Sequence, residues 1–230
     1  MTALIEARGL SAGYGHLAAV RDIDLAVQPG EVVALVGANG AGKSTTLLAL
    51  AGWLPPMAGE VRWKGEPTTA ALHKRATVGM ALVTEARSIF RGLTVAGNLR
   101  VGDIDQSHAL SLFPELRPLL SRRAGLLSGG EQQMLALACA LGRMPSLLLV
   151  DELSLGLAPI VVSRLIRAFK AVASDGVAVL VVEQHARQVL RVADRAYVLN
   201  RGRIVMEAPA DELIGRLDEL KKSYLATPVG

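Results

Sequence analysis

A glycine-rich segment that follows a short apolar run constrains this chain more strongly than any other part of the sequence. Residues 32–45 read Val-Val-Ala-Leu-Val-Gly-Ala-Asn-Gly-Ala-Gly-Lys-Ser-Thr, which fits G-x-x-x-x-G-K-[ST] at every position. Gly37, Gly40 and Gly42 allow the backbone to turn tightly, so that several N–H groups point at one phosphate. The helix predicted to begin near Lys43 adds its positive amino end. The segment therefore predicts a strand, a phosphate-binding loop and a helix in that order.

This loop also predicts which residues hold a nucleoside triphosphate. Lys43 places an ammonium group against the β- and γ-phosphates, the Ser44 hydroxyl is a ligand for Mg²⁺, and Thr45 contacts the α-phosphate. The predicted nucleotide-binding residues of the loop are Gly37, Ala38, Asn39, Gly40, Ala41, Gly42, Lys43, Ser44 and Thr45. A glycine-rich turn with an unrelated lysine is the alternative, which the order of strand, loop and helix disfavours. The loop alone does not name the reaction, because GTPases, kinases and ATPases all use it.

Composition limits the class of protein. Hydrophobic residues make up 51% of the 230 residues and the mean hydropathy is +0.36, yet the apolar runs are far shorter than the roughly 20 residues that cross a bilayer. Glu6 and Arg8 interrupt the start, which argues against a signal peptide. We therefore expect a cytosolic protein with extra apolar surface for a partner. The single cysteine, Cys139, excludes an internal disulfide and a cysteine-based metal cluster. A net charge of +4 with 3% aromatic residues does not indicate nucleic-acid binding.

Polar residues follow three further apolar runs that read as strands. Glu85 follows residues 76–84, Asp151 and Glu152 follow residues 147–150, and His185 follows residues 177–182. The carboxyl ends of parallel strands meet at the ligand-binding edge of a sheet, so we expect these side chains to lie near the phosphate loop. Asp151 suits an outer-shell Mg²⁺ ligand, and Glu152 suits the base for an attacking water. His185 would donate a hydrogen bond to the γ-phosphate, although a lone histidine is more often structural.

Two other segments are candidate nucleotide contacts. Tyr14 lies between Gly13 and Gly15 on a predicted turn, where its ring would stack on adenine; a plain surface tyrosine is the alternative. Residues 127–131 read Leu-Ser-Gly-Gly-Glu, so Ser128 and Glu131 form a capping box at the start of a helix. The N–H groups of Gly129 and Gly130 would also face an anion. The two interpretations of this helix start are compatible.

The remaining pattern predicts the architecture around this sheet. Residues 2–30 and 60–63 read as antiparallel strands, and short helices run from residue 86 to about 145. An amphipathic helix over 160–173 has Val161, Leu165, Ile166, Phe169 and Val172 on its inner side, and a hairpin over 197–206 precedes a helix over 210–225. The apolar residues of the helical region exceed what so small a unit buries alone, which suggests a docking surface.

Together these residues resemble the ATP-binding cassette (ABC) ATPases, and the resemblance covers nearly the whole chain. It implies one α/β domain over 1–230: a mixed P-loop NTPase sheet with an antiparallel β subdomain and a helical subdomain inserted at about 86–145. It further implies a dimer in which each ATP lies between the phosphate loop of one cassette and the signature segment of the other, here Ser128, Gly129, Gly130 and Glu131. Glu85 stands where most relatives carry a magnesium-sensing glutamine.

Within that family, the segments around Glu131, Ser154 and Glu183 are similar to the ATPases of branched-chain or hydrophobic amino-acid importers, with urea and short-amide importers close behind. This implies transmembrane permease subunits docked near residues 85–98, an indirect periplasmic or lipid-anchored substrate-binding protein, and a peripheral location on the cytoplasmic face of the inner or plasma membrane. Cassette proteins that act on nucleic acid or the ribosome are an alternative, but they usually carry tandem cassettes or charged coiled coils. A non-hydrolysing nucleotide switch is another, against which Glu152 argues.

Besides Glu85, and Glu131 in place of the commoner final glutamine of the signature, four further positions depart from the family pattern. Cys139 replaces a usual arginine, and Leu153 replaces a usual proline. Thr84 and Ala86 replace a usual proline and glycine on either side of Glu85.

Overall fold

The computed structural model describes residues 2–86, 88–102, 104–154, 156–184 and 186–220. The strands of the described chain are β1 (Ile5–Tyr14), β2 (Leu17–Val27), β3 (Val32–Val36), β4 (Ala58–Trp63), β5 (Glu66–Pro67), β6 (Met80–Val83), β7 (Leu147–Asp151), β8 (Ala178–Glu183), β9 (Arg195–Asn200) and β10 (Arg203–Pro209). The α-helices are α1 (Lys43–Ala51), α2 (Leu72–Thr77), α3 (Val95–Val101), α4 (Gln106–Leu112), α5 (Gly129–Leu141), α6 (Pro159–Ser174), α7 (Ala186–Val189), α8 (Ala210–Gly215) and α9 (Leu217–Leu220). Short 3₁₀ segments cover Pro114–Leu119 and Ala124–Leu126.

These strands form two sheets. The first is antiparallel, with the order β2-β1-β4-β5, and the second has the order β10-β9-β3-β8-β7-β6. In the second sheet all neighbours are parallel except β10, which pairs antiparallel with β9. The predicted mixed sheet with an antiparallel β subdomain is thus confirmed. Parallel strands buried on both faces read as unbroken apolar runs, as β3, β7 and β8 do.

Alternate residues of the parallel strands pack into two separate cores. Leu180 and Val182 of β8 face the core that contains α1 and the antiparallel sheet. Val179 and Val181 face the core that contains α5 and α6. This alternation, with a period of two, decides which side chains at the end of β8 lie on the phosphate-loop side of the sheet.

The helical segment between β6 and β7 is organised around Asn98. This buried side chain accepts a hydrogen bond from the Phe90 N–H at 2.8 Å, and its amide donates to the carbonyls of Phe90 and Thr94 at 3.0 Å each. These bonds fix the irregular segment that leads into α3. The predicted helices of this region are present, while the boundaries 86–145 of a subdomain stay a prediction. Within the described residues, no helix is both long and apolar enough to cross a membrane.

Several predicted element boundaries are wrong. The strand predicted over 76–84 begins only at Met80, because α2 covers its first residues and Gly79 turns the chain with φ +102°. The helix predicted over 210–225 is divided into α8 and α9 within the described part of the chain, and residues 221–225 lie outside it. In α6, Val162 faces the core fully while Val161 is only half-buried against it.

Arg75 explains why α2 forms where a strand was predicted. Arg75 is 3% exposed, and its guanidinium donates to the carbonyls of Ala70, Leu50 and Thr68, so it joins α2 to the carboxyl end of α1. Burial lowers the pKa of this group. Among the described residues, no carboxylate pairs with it, and carbonyl oxygens alone stabilise its charge.

Replacing Arg75 by Met should therefore lower the free energy of unfolding by about 3 kcal/mol, because buried carbonyls lose their donors. Methionine is about as good a helix former as arginine, so the loss of stability reports on the hydrogen bonds and not on the helix propensity of α2. Urea denaturation measures the change. Lys74→Met, on the exposed side of the same helix, is the matched control and should stay within about 0.5 kcal/mol of the parent. Equal stability of the two variants would contradict this role of Arg75.

Candidate nucleotide site

The phosphate loop leaves the central strand as predicted. β3 ends at Val36, the chain turns through residues 37–42, and α1 begins at Lys43. A Cβ at Gly37 would lie 2.4 Å from the Leu199 carbonyl oxygen, and one at Gly42, where φ is +104°, would lie 2.3 Å from Val20 Cγ1. Both positions therefore require glycine. Ala38, Ala41 and Thr45 are buried, and Asn39 and Gly40 form the exposed tip of the loop.

Ser44 and Asp151 meet although 107 residues separate them. β8 lies between β3 and β7 in the sheet, and the Ser44 hydroxyl donates to Asp151 Oδ1 at 3.1 Å. Burial raises the pKa of Asp151, while the Ser44 hydrogen bond opposes that change. The nearby charges of Glu152 and Glu85 raise this pKa further, and that of Lys43 lowers it. The charged groups that act on Asp151 are thus two further carboxylates, Glu85 and Glu152, and one ammonium group, Lys43.

Lys43 and Glu152 form an ion pair at the centre of the site. The ammonium is buried and lies 3.3 Å from Glu152 Oε1, and it donates a 3.2 Å hydrogen bond to the Ala38 carbonyl. Glu152 follows β7 with φ +44°, an uncommon conformation for a residue with a side chain. The structure thus brings Lys43, Ser44, Asp151 and Glu152 together at the carboxyl edge of the sheet.

Among the described residues, no hydrogen bond or ion pair joins Tyr14 or the signature segment to this cluster. Tyr14 ends β1 with 57% of its surface exposed, on the hairpin whose second strand carries Val20 past the loop. Ser128 caps α5 as predicted: its Oγ accepts the Glu131 N–H at 3.3 Å, and Glu131 Oε2 accepts the Ser128 N–H at 2.7 Å. Gly129 and Gly130 begin the helix, and the side chain of Val161 packs against Gly130. In the described chain, the polar contacts of Ser128 and Glu131 stay within this segment.

The predicted contact of His185 falls on a residue outside the described part of the chain. Gln184 immediately precedes it at the end of β8. Strand alternation places Val182 on the α1 side of the sheet, the side on which Ser44 reaches Asp151, and Gln184 follows two residues later, just past the end of β8. Sequence analysis named His185 and not Gln184 as the donor after this strand, because it ranked side chains by chemical type and not by alternation.

A second contact that sequence analysis missed involves Glu183. This carboxylate is buried at the end of β8 and accepts hydrogen bonds from both the N–H and the hydroxyl of Ser154. A carboxylate at the end of an apolar strand was the available signal, but its partner lies 29 residues away.

A groove of about 750 Å³ lies between the end of α1, β6 and the exposed side of α5. Its apolar lining includes Leu48, Trp53, Met80, Val83 and Ala140, and Arg143 supplies a positive charge. Cys139 also lines it, and burial raises the pKa of its thiol to about 12. The thiol therefore remains protonated at neutral pH.

Comparison with known proteins identifies relatives that cover most of this chain. The family model described as "ABC transporter" matches residues 20–154. The chain is 44% identical to the high-affinity branched-chain amino acid transport ATP-binding protein BraG of Pseudomonas aeruginosa, covering 94% of this chain and 97% of that protein. It is 36% identical to the probable branched-chain amino acid transport ATP-binding protein LivF of Archaeoglobus fulgidus, covering 89% of this chain and 92% of that protein.

A solved structure confirms the fold. The chain resembles the dimeric structure of MJ0796, a bacterial ABC transporter cassette, with a TM-score of 0.80 and 23% identity over 90% of this chain and 98% of that one. Sequence, fold and family model agree. This chain belongs to the ABC transporter family, as an ATP-binding subunit that hydrolyses ATP.

Proposed function

We propose that this chain is the ATP-hydrolysing subunit of an importer for branched-chain or other hydrophobic amino acids. The observation that carries the substrate class is the 44% identity to BraG along almost the full length of both chains. An importer of urea or short amides is the alternative that the sequence motifs leave open. A cassette acting on nucleic acid or the ribosome has less support.

The residues around Asp151 suit a Mg²⁺ ion bound with ATP. The Ser44 hydroxyl and the Asp151 carboxylate are oxygen donors in direct contact, and Glu85 and Glu152 add negative charge beside them. Ser44 would bind the ion directly, with Asp151 behind it and Glu85 as the sensing residue. When bound, Mg²⁺ neutralises charge on the β- and γ-phosphates.

Lys43 and Glu152 divide the catalytic work in this proposal. The buried ammonium of Lys43 holds the γ-phosphate, and Glu152 accepts the proton of the attacking water. Their 3.3 Å separation supports both roles, because it would place the base next to the phosphate that the Lys43 ammonium would bind. Backbone N–H groups of residues 37–45 complete the cradle, and the Tyr14 ring stacks on adenine.

A second cassette would complete each site. At the start of α5, Ser128 is exposed and Gly129, Gly130 and Glu131 are half-buried. A helix amino end with paired glycines binds an anion, so these residues suit the γ-phosphate held by a partner. The dimeric structure of MJ0796, which shares this fold, supports the arrangement.

Permease subunits are the proposed partners of the helical region between β6 and β7. The groove beside Cys139 and the exposed side chains of Phe90, Leu93 and Val101 give this region the apolar surface that a docked segment covers. ATP-driven dimer closure would then move the permeases between two states. This arrangement places the chain peripherally on the cytoplasmic face of the membrane, with the substrate-binding protein as an indirect partner.

Glu152→Gln should retain ATP and trap a closed dimer, with turnover lowered by about 10²-fold or more, because the amide cannot accept the proton. Phosphate release and gel filtration with Mg-ATP measure the two effects. Glu212→Gln, on an exposed position of α8, is the control and should keep parent turnover. Unchanged turnover in Glu152→Gln would refute the assigned base.

We further propose that a side chain just after β8 donates a hydrogen bond to the γ-phosphate. His185 and Gln184 both carry suitable N–H donors, and alternation favours Gln184. Single alanine variants separate them: the residue that acts should lose at least about tenfold in kcat, as other oxyanion donors do, and the other variant should stay near the parent. Parent turnover in both variants would contradict the proposal.

Substrate class is testable in a strain that lacks the chromosomal copy of this chain. Restoring the chain should restore uptake of radiolabelled leucine, isoleucine or valine, and Glu152→Gln should not. Uptake of labelled urea or acetamide, measured in parallel, distinguishes the alternative importer. Restored urea uptake without leucine, isoleucine or valine uptake would overturn the amino-acid assignment while leaving the ATPase assignment intact.

A further inference from the structure

Glu183 is a buried carboxylate that has no role in the nucleotide binding and hydrolysis proposed above. Only 4% of its surface is exposed. Its Oε1 accepts the backbone N–H of Ser154 at 2.9 Å, and its Oε2 accepts the Ser154 hydroxyl at 2.7 Å. Burying a carboxylate is costly, and two donors from one residue offset that cost at one specific place.

The turn formed by residues 152–154, which Glu183 contacts through Ser154, contains Glu152. On one side, the Glu152 N–H donates to the carbonyl of Val182 at 3.0 Å, and on the other side Ser154 is bound to the carboxylate of Glu183. Glu152 therefore sits in a short turn that is attached at both ends to neighbouring residues of β8. Leu153, between the two attachments, is buried in the core that contains α5 and α6.

Glu152 needs this support because its backbone conformation is strained. Its φ is +44°, which costs free energy for any residue with a Cβ and persists only where the surroundings hold it. That conformation directs the Glu152 carboxylate to within 3.3 Å of Lys43 Nζ. A relaxed turn would move the carboxylate away from the phosphate loop.

The position of Glu183 in the sheet relates the turn to the phosphate loop. Glu183 pairs in register with Val36, the last residue of β3 before Gly37. The backbone of Glu183 is therefore fixed beside the start of the phosphate loop, and its side chain is fixed to the turn that carries Glu152. Glu183 therefore connects the start of the phosphate loop to the turn that carries Glu152.

We propose that Glu183 is a positioning residue for ATP hydrolysis, which acts by holding Ser154 and so the strained turn that aims Glu152 at the γ-phosphate. This inference rests on the proposed role of Glu152 as the base. It predicts that loss of the Glu183–Ser154 contact lowers the rate of the chemical step while ATP binding, which depends on residues 37–45, is kept.

The test compares Glu183→Gln, Ser154→Ala and the double variant by steady-state ATPase kinetics. Each single variant should lower kcat by at least about tenfold, because small misplacements of a catalytic group are costly, while KM for ATP stays within about twofold. The double variant should be no slower than the slower single variant, since both remove the same contact. Ser154→Thr keeps the hydroxyl and should restore most of the turnover.

Glu31→Gln is the matched control for removing a part-buried carboxylate. Glu31 pairs with Arg195 just before β3, at the opposite end of the strand from the phosphate loop. It should lower the melting temperature without changing kcat. Glu183→Gln with a lowered melting temperature but parent kcat would reduce Glu183 to a structural residue, and multiplicative losses in the double variant would also overturn the proposal.

Failure of this inference is distinguishable from failure of the proposed function. If Glu152→Gln keeps parent turnover, the base assignment fails whatever Glu183 does. If Glu152→Gln is inactive and Glu183→Gln is not, the base stands and only the positioning role is overturned.

Discussion

The site depends on the backbone pairing of three neighbouring parallel strands. β3, β8 and β7 lie side by side, and their registers align Val36 with Glu183 and Asp151 with Val182. Parallel hydrogen bonding makes all three end at the same edge, so a glycine loop, an acidic pair and the end of β8 meet there. The complete burial of these strands fixes the register, because a slip by one residue would turn every side chain to the opposite core.

Three carboxylates and one buried ammonium group set the charge at this edge. Asp151, Glu152 and Glu85 bring negative charge close together, and burial together with the charges of the other two carboxylates raises the pKa of Asp151. The ion pair between Lys43 and Glu152 compensates part of this charge. Such a site is electrostatically costly in the protein alone, and the magnesium ion proposed to bind with ATP would relieve part of the cost. A cluster of this kind is more typical of a functional site than of a structural one.

Much of this arrangement was predictable from local pattern. The phosphate loop, the Ser128 capping box, the buried strands and the hairpin formed by β9 and β10 all follow from residue types at fixed spacing. An error arose where tertiary hydrogen bonds overrode the local pattern. The apolar character of residues 76–84 favoured a strand throughout, but Arg75 reaches three carbonyls of other segments and draws the first of these residues into α2.

The sequence by itself determined the family, the fold class and the chemical identity of the phosphate loop and the acidic pair, because these depend on backbone geometry and short-range spacing. Only the tertiary structure decided that Glu183 accepts both donors of Ser154, that Glu152 adopts φ +44°, and that Val182 faces the α1 side while Val181 faces the other core. Those facts depend on which strands are neighbours and on which core each alternate side chain enters. Strand order is set by the packing of segments distant in sequence, so no local pattern contains it.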